Sequence, residues 1–592
     1  MKNIGFFGGN AIKIEGITDY YVRFVEENQL MDPKRWEALV KPFVTREDSS
    51  DAFWRGEFFG KEMRGASLVY TYTRDERLYE VLCGAVEKLL AAQDEYGRIS
   101  TYDVEHEFCG WDMWCRKYVL TGLQHFYRIC KDEAFKKRII EALKRHTDYI
   151  ISKIGAEDGK KNITETSSWW GCVNSCTILE PVVELYKQTG EKRYLDFAKY
   201  IISTGGSSDC DFMRLALENK LFPYQYPVVK AYETMSYFEG LLAYYEVCGE
   251  QKYLTAVQNF IEAVYESDLT VIGCCGCTHE LFDNSSVRQT EYSDQIMQET
   301  CVTVTLMRLS LRLYFLSGDT KYMDVIERSG FNALYGSVNT SHEDIYNLFM
   351  KKYVSGMTFD SYSPLYMNSR WRGTGGYLEF NDGDSCGCCD AIGACGVAIM
   401  PLVAAMKCDE GIIVNYLFRG SLSAEDVNGK KVVLDFDSDY PTTENGTVTV
   451  KCDGTANLKL FIRCPGFYKQ TAINGVSVKG GGYYTVEGEF KSGDKIEISY
   501  VRELKVLRLN GKTAFLFGSL TLAADELKGD LKTCGAAAVA DVPPYKTLPV
   551  KDGELVRVEI EKPDGTALTL TDYRSCGKNR HGKTDVITVW FD

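Results

Sequence analysis

Hydrophobic and polar positions divide the 592-residue chain into two regimes. Up to Met406 apolar residues recur at helical spacing, as in GLLAYYEV and YLTAVQNFIEAV. Between such runs a short pattern returns: an aromatic residue, four positions on a Gly or its substitute, an acidic residue within two, and a bulky apolar residue four after the Gly position. Its copies are YTYTRDERL (Tyr70 to Leu78), YRICKDEAF (Tyr127 to Phe135), YKQTGEKRY (Tyr186 to Tyr194), YEVCGEQKY (Tyr245 to Tyr253) and YFLSGDTKY (Tyr314 to Tyr322), spaced by 57, 59, 59 and 69 residues. Each copy has the chemistry of a helix that ends at a C-cap and restarts at once, which predicts the turn of an αα-hairpin. With helical stretches near 20 to 44 and 389 to 406 the count reaches about twelve helices, and closing six hairpins on one another gives an (α/α)6 toroid. An open helical solenoid is the alternative.

From Gly411 the period drops to two, as in Val432, Leu434 and Phe436, in Leu458, Leu460 and Ile462, and in Val586, Thr588 and Trp590, with turn signals such as Asn474-Gly475 between runs. The fold expected is therefore multidomain, an N-terminal all-α toroid followed by C-terminal all-β sandwich structure. The expected divisions are an N-terminal extension over 1–20 packing on the β module, the toroid over 21–407, a β-sandwich over 408–505, and a second, smaller sandwich or a continuation of the first over 506–592.

Composition narrows the function. A net charge of -15 and a pI near 5.2 exclude a polyanionic partner such as nucleic acid, which needs clustered Lys and Arg. No apolar run reaches the length of about 18 residues that a membrane span needs. The start, MKNIGFFGGNAIKIEG, lacks the basic, apolar and small-residue succession of a secretory signal, and a cytoplasmic location is expected. The 21 cysteines are an odd number and read as reduced thiols, most of them small buried apolar side chains. Aromatic residues make up 13% of the chain, which suits stacking on sugar rings as well as core packing. Trp111, Trp114, Trp169, Trp170 and Trp371 lie in stretches between hairpins and are expected near the central cavity.

Two cysteine clusters stand out, Glu299-Thr300-Cys301 and Cys386-Gly387-Cys388-Cys389. Each lies at the start of an expected helix, where unpaired N–H groups and the helix dipole stabilise a thiolate. Zinc favours such soft donors with a carboxylate, and Glu299, Cys301, Cys388 and Cys389 form a candidate Cys3Glu zinc site. Cys274, Cys275 and Cys277 are a second cluster that could join it. The six histidines show no paired spacing, so a histidine-based catalytic zinc is not expected.

The ETC and C-x-C-C motifs, the KAYETMSYFEGLLAYYEVCG stretch (Lys230 to Gly249), the hairpin turns, LKLFIRCPGF (Leu458 to Phe467) and the terminal VITVWF together resemble glycoside hydrolase family 127, which includes zinc-dependent β-L-arabinofuranosidases. The resemblance implies a retaining exo-hydrolase with Cys388 as the nucleophile and Glu299, Cys301 and Cys389 as the other ligands of Zn2+. Cys386 stays outside the ligand set. The general acid/base implied is Glu280 in THELF, with Asp283, Glu291 and Asp294 as rivals. At places where characterised members carry sugar-facing histidines this chain has Tyr118, Ser175 and Lys230. These three, with Trp169, Trp170 and Trp371, are the candidate substrate-binding residues. The expected partner is a small oligosaccharide or glycoside, by default one ending in β-L-arabinofuranose, with a homodimer as the assembly considered. Lys230 and Arg116 would suit an anionic sugar instead. Other α/α-toroid enzymes fit less well: zinc-dependent thiol-activating cyclases need a Cys-His dipeptide, which is absent, and epimerases need paired histidines. A carbohydrate-binding or structural protein with a closed, inert zinc is the remaining alternative.

Overall fold

The computed structural model of the chain describes all residues except 9, 51–52, 279, 293–297, 374–376, 529–530, 532–538, 552 and 579–585. Its helical part is built on a ring of inner helices: α1 (Glu57–Thr73), α2 (Asp112–Ile129), α3 (Leu179–Thr189), α4 (Ala231–Cys248), α5 (Thr300–Ser317) and α6 (Cys388–Ala404). Each packs on the next, and α6 packs back on α1, so the ring is closed and the open solenoid is excluded. Outer helices run between them, among them Glu76–Ala91, Glu133–Lys153, Lys192–Ser203, Gln251–Ser267 and Thr320–Ser329. The two layers differ in the way their sequences require. Glu133–Lys153 buries one stripe, Phe135, Ile139, Leu143, His146 and Ile150, whereas α6 is buried from Cys389 to Ala404 and α2 from Asp112 to Gln124.

The hairpin turns show how much a glycine matters. Gly190, Gly249 and Gly318 each cap a helix in the left-handed conformation, as the repeat predicts. Arg74 does the same without a glycine, at a cost of roughly 1 kcal/mol. In the second copy the helix stops one residue early, at Ile129, and Cys130 is extended, so no left-handed residue is needed.

Beyond α6 the chain is β. One sheet orders Gly5–Phe6, Ala405–Cys408, Gly411–Val414, Thr455–Cys464 and Gly482–Lys491. A second begins with Val476–Val478 and ends with Ile12–Glu15, and its strands Asn445–Cys452 and Lys495–Val501 pair antiparallel. Alternate residues Leu434, Val448, Val450, Leu460, Ile462, Ile496 and Ile498 are buried, the signature of a sandwich core. The first fifteen residues thus supply an edge strand to each sheet. A further sheet runs from Leu504 to Thr588, and its strand Val586–Thr588 pairs with Asn368–Ser369.

One β element has no counterpart in the periodicity. Between the last outer helix and α6 lie Ile345–Asn347, Lys352–Val354, Tyr362–Ser363 and Arg372–Gly373, which form a small sheet with Gln298–Glu299. Its strands are two or three residues long, too short for an alternation to be visible.

Candidate active site

The inner helices begin on one rim of the ring, and the chemistry collects there. Glu57 and Lys61 come from the first turns of α1, Trp114 and Tyr118 from those of α2, and Lys230, Tyr232 and Glu233 from the start of α4. Glu299 is the cap residue of α5 and Cys301 its second residue. Cys388 and Cys389 open α6 directly after the extended Gly387. Helix starts offer unpaired N–H groups and a positive dipole end, so a rim of this kind favours anions.

Four of the residues expected to hold a metal meet there. One donor atom each from Glu299, Cys301, Cys388 and Cys389 lies within 4.8 Å of the others. Cys389 Sγ is 3.5 Å from Cys301 Sγ, 3.9 Å from Cys388 Sγ and 3.6 Å from Glu299 Oε1. A tetrahedron with Zn–S bonds near 2.3 Å sets its sulfur atoms about 3.8 Å apart, so the spacing and the soft donor set fit zinc. Glu299 Oε2 is buried and has no hydrogen-bond partner, a cost of about 1–3 kcal/mol unless a cation meets it. Burial pushes Cys301 and Cys389 well above the usual thiol range, and burial together with the charges of Glu280 and Cys388 raises Glu299. Cys388 is the exception. Hydrogen bonds from the Cys301 and Cys389 thiols, with the nearby Lys61 and Lys230 ammonium groups, hold it well below that range. It is also the one residue of the three cysteines that is half-buried rather than buried.

Cys274, Cys275 and Cys277 lie behind this group rather than in it. Cys274 Sγ is 3.4 Å from the Glu299 carbonyl, and Cys277 Sγ accepts from Gln298 Nε2 at 2.9 Å. Cys386 is buried beside Glu62, itself paired with Arg35.

Glu280 is half-buried and accepts hydrogen bonds from Lys230 Nζ and, at 3.0 Å, from Tyr362 Oη. Its backbone has φ 69, a left-handed conformation that a non-glycine residue holds only where its surroundings enforce it. Its rivals are engaged otherwise. Asp283 ties up its own loop through Thr278, Ser285 and Arg288, and Glu291 is exposed and paired with Arg288. Asp294 lies outside the described residues.

The other expected binding residues are dispersed. Tyr118 is fully buried, its hydroxyl bonded to that of Tyr232. Ser175 Oγ is buried without a hydrogen-bond partner, in the turn before α3. Lys230 is paired with Glu280 and lies 4.0 Å from Glu233. Trp169 is 39% exposed and its ring lies 6.3 Å from that of Trp111, which lies 5.9 Å from Trp114. Trp170 is half-buried at φ 49. Trp371 is fully buried among Ile345, Val354 and Met357, so it presents no face to a sugar. Arg116 is committed to Asp112 and Glu107.

Sequence reasoning did not single out Lys61, Glu57, Tyr232 or Tyr362, all of which touch this site. The only signal for the first two was an i,i+4 acid–base pair in a helix, EFFGKEMRGASLVY, that has no clean polar face.

Comparison with known proteins identifies the family. Residues 15–401 match the family profile described as beta-L-arabinofuranosidase, GH127 catalytic domain, and residues 411–501 match the GH127 middle domain. A non-reducing end beta-L-arabinofuranosidase of Bifidobacterium longum is 21% identical over 85% of this chain and 81% of its own length. Among solved structures, a GH127 beta-arabinofuranosidase superposes with a TM-score of 0.75 at 18% identity, covering 100% of this chain and 98% of that one. A GH127 beta-L-arabinofuranosidase of Geobacillus stearothermophilus T6 does so with a TM-score of 0.71 at 16% identity, covering 98% and 99%. With both family domains matched across most of its length, the chain belongs to glycoside hydrolase family 127 and is a glycoside hydrolase.

Proposed function

We propose that the protein is a retaining exo-hydrolase that releases a terminal sugar, β-L-arabinofuranose by default, with Cys388 as nucleophile and Glu280 as general acid/base. The observation that carries this reading is the convergence of Glu299, Cys301, Cys388 and Cys389 within 4.8 Å on a helix-start rim, with Cys388 the least buried residue of the four. Similarity to proteins named for β-L-arabinofuranose supports the choice of sugar. Glu299, Cys301, Cys388 and Cys389 would hold a zinc ion, whose charge keeps the coordinated thiols deprotonated.

The residues divide the work in two steps. The Cys388 thiolate attacks the anomeric carbon as the bond to the leaving oxygen breaks, and Glu280 gives that oxygen its proton. Glu280 then takes a proton from water, the water oxygen bonds to the anomeric carbon, and the carbon–sulfur bond breaks to return the Cys388 thiolate. Two displacements retain the configuration. Tyr362 and Lys230 orient the Glu280 carboxyl. An anionic sugar is less well supported, because Lys230 and Arg116 are both paired with carboxylates of the protein. A reducing compartment such as the cytoplasm fits the twenty free cysteines among the described residues. No described helix is long and apolar enough to cross a membrane.

A panel of p-nitrophenyl furanosides and pyranosides, run with and without a chelator, tests the assignment. Glu280→Gln is expected to lower turnover of an alkyl arabinofuranoside by about 10²–10⁴-fold and that of the p-nitrophenyl glycoside far less, since its leaving group needs little protonation. Equal rates for variant and parent on both substrates would remove Glu280 from the role. Failure of Cys388→Ser to abolish turnover would remove the nucleophile.

A further inference from the structure

Three sulfurs meet in the site, and the proposed mechanism uses one. Exposure separates Cys388 from its neighbours, but a second device lies on the other side of the cluster. Lys61 is 1% exposed, and its Nζ lies 3.8 Å from Cys301 Sγ and 3.1 Å from Glu57 Oε1. The ring centroids of Tyr232, Tyr118 and Trp114 lie 4.5, 5.3 and 5.7 Å from the same ammonium, so it sits in an aromatic cage that favours the charged form. The cage is fastened in turn: Trp114 Nε1 donates to Glu57, and the Tyr118 and Tyr232 hydroxyls bond to each other. A buried ammonium held by three rings and one carboxylate has little freedom to turn from the sulfur it faces.

We propose that Lys61 is a positioning residue that assigns the nucleophile: by donating to Cys301 Sγ it draws charge from that sulfur, making Cys301 a ligand only and leaving Cys388 the electron-rich thiolate. The inference rests on the zinc and nucleophile reading above. With all three sulfurs deprotonated the Cys301 and Cys389 thiols no longer donate to Cys388, and the hydrogen bond from Lys61 then withdraws electron density from Cys301, which makes it the weaker nucleophile. The charge balance points the same way. Three thiolates and one carboxylate around a divalent ion leave a buried excess of two negative charges, and Lys61, shared with Glu57, is the ammonium that faces this excess at Cys301.

The test compares cobalt-substituted parent with Lys61→Met in a Glu57→Gln background, which avoids stranding a buried carboxylate. In the variant the sulfur-to-cobalt charge-transfer band is expected to move to lower energy, as a thiolate freed of its hydrogen bond donates more strongly. Zinc affinity by chelator competition is expected to weaken about 10–100-fold. A folded variant with the parent's band and affinity would overturn the proposal and leave Lys61 a structural partner of Glu57. A crystal structure of the zinc-loaded parent with Lys61 turned from Cys301 would overturn it without any variant. A parent that takes up neither zinc nor cobalt would overturn the metal reading itself, and this inference with it.

Discussion

Gly60→Ala tests whether the packing of two inner helices sets the catalytic geometry. Gly60 of α1 faces Tyr118 of α2, and a Cβ added there would overlap the Tyr118 carbonyl oxygen and lie 2.8 Å from its Cβ. On the same crossing, a Cβ at Gly122 would lie 2.8 Å from the Gly60 Cα. A carbon and a carbonyl oxygen rest about 3.3 Å apart, so relieving the overlap with the Tyr118 carbonyl pushes the helices apart by more than about 1 Å. Overpacking of this kind costs about 1–3 kcal/mol. The displaced residue matters more than the energy, because Tyr118 closes the aromatic cage around Lys61, next in sequence to the mutated glycine. A shift of 1 Å at a catalytic constellation costs about 10²-fold in rate. Gly60→Ala is therefore expected to keep its zinc, lose about 1–3 kcal/mol in denaturant unfolding and lose about 10²-fold in kcat. A variant with parental stability and kcat would refute the reasoning, since it would mean that the α1–α2 contact yields without moving the site.

Lys117→Met removes a fully buried ammonium whose Nζ has no hydrogen-bond partner and whose pKa burial lowers to about 7. The folded chain binds fewer protons than the unfolded one between pH 7 and 10.5, so the parent's stability rises with pH across that window and is lost as pH falls to 7. The methionine variant is expected to lack that rise, of order 5 kcal/mol, in urea titrations at pH 7 and 10. Arg463→Met strands the buried Glu327, which Arg463 meets at 2.8 Å from the sandwich, and should cost about 3–5 kcal/mol, less when paired with Glu327→Gln, as read from denaturant midpoints. Removal of metal by a chelator is expected to abolish turnover and expose Cys388 to alkylation in peptide mapping. Zinc should restore activity and magnesium should not, because magnesium demands oxygen donors.

The parts of this molecule that are periodic or local in sequence were legible in it. The hairpin turns at Gly190, Gly249 and Gly318 announce the toroid, and Glu299, Cys301, Cys388 and Cys389 announce a thiolate site because each pair is only two or three residues long. Lys61 and Glu57 were not legible, since charged residues in a helix ordinarily mark its solvent face. Here α1 is enclosed by α2 on one side and α6 on the other, and its Glu62, Glu57 and Lys61 are met by Arg35, Trp114 and Cys301 from distant parts of the chain. The small sheet around 345–373 escaped for another reason: its short strands are fixed by pairing with one another and, through Tyr362–Ser363, with Gln298–Glu299, not by their own pattern. Trp371 packs with that sheet, fully buried among Ile345, Val354 and Met357, which no spacing between hairpins could foretell.

That sheet also bears on where the enzyme can be cut. Glu299 leads into α5 from a strand paired with Tyr362, Asp390 of α6 accepts from the Thr358 and Phe359 amides, and the same insert pairs through Asn368–Ser369 with a strand near the end of the chain. The C-terminal sheet is thus stitched to both halves of the cysteine–glutamate cluster through one short insert. For protein engineering, the helical ring is not a minimal unit that can be excised or grafted. A chain ended after the toroid, or after the first sandwich, would leave the Glu299 and Cys388 segments without their common splint, so design of smaller variants has to begin by replacing that splint.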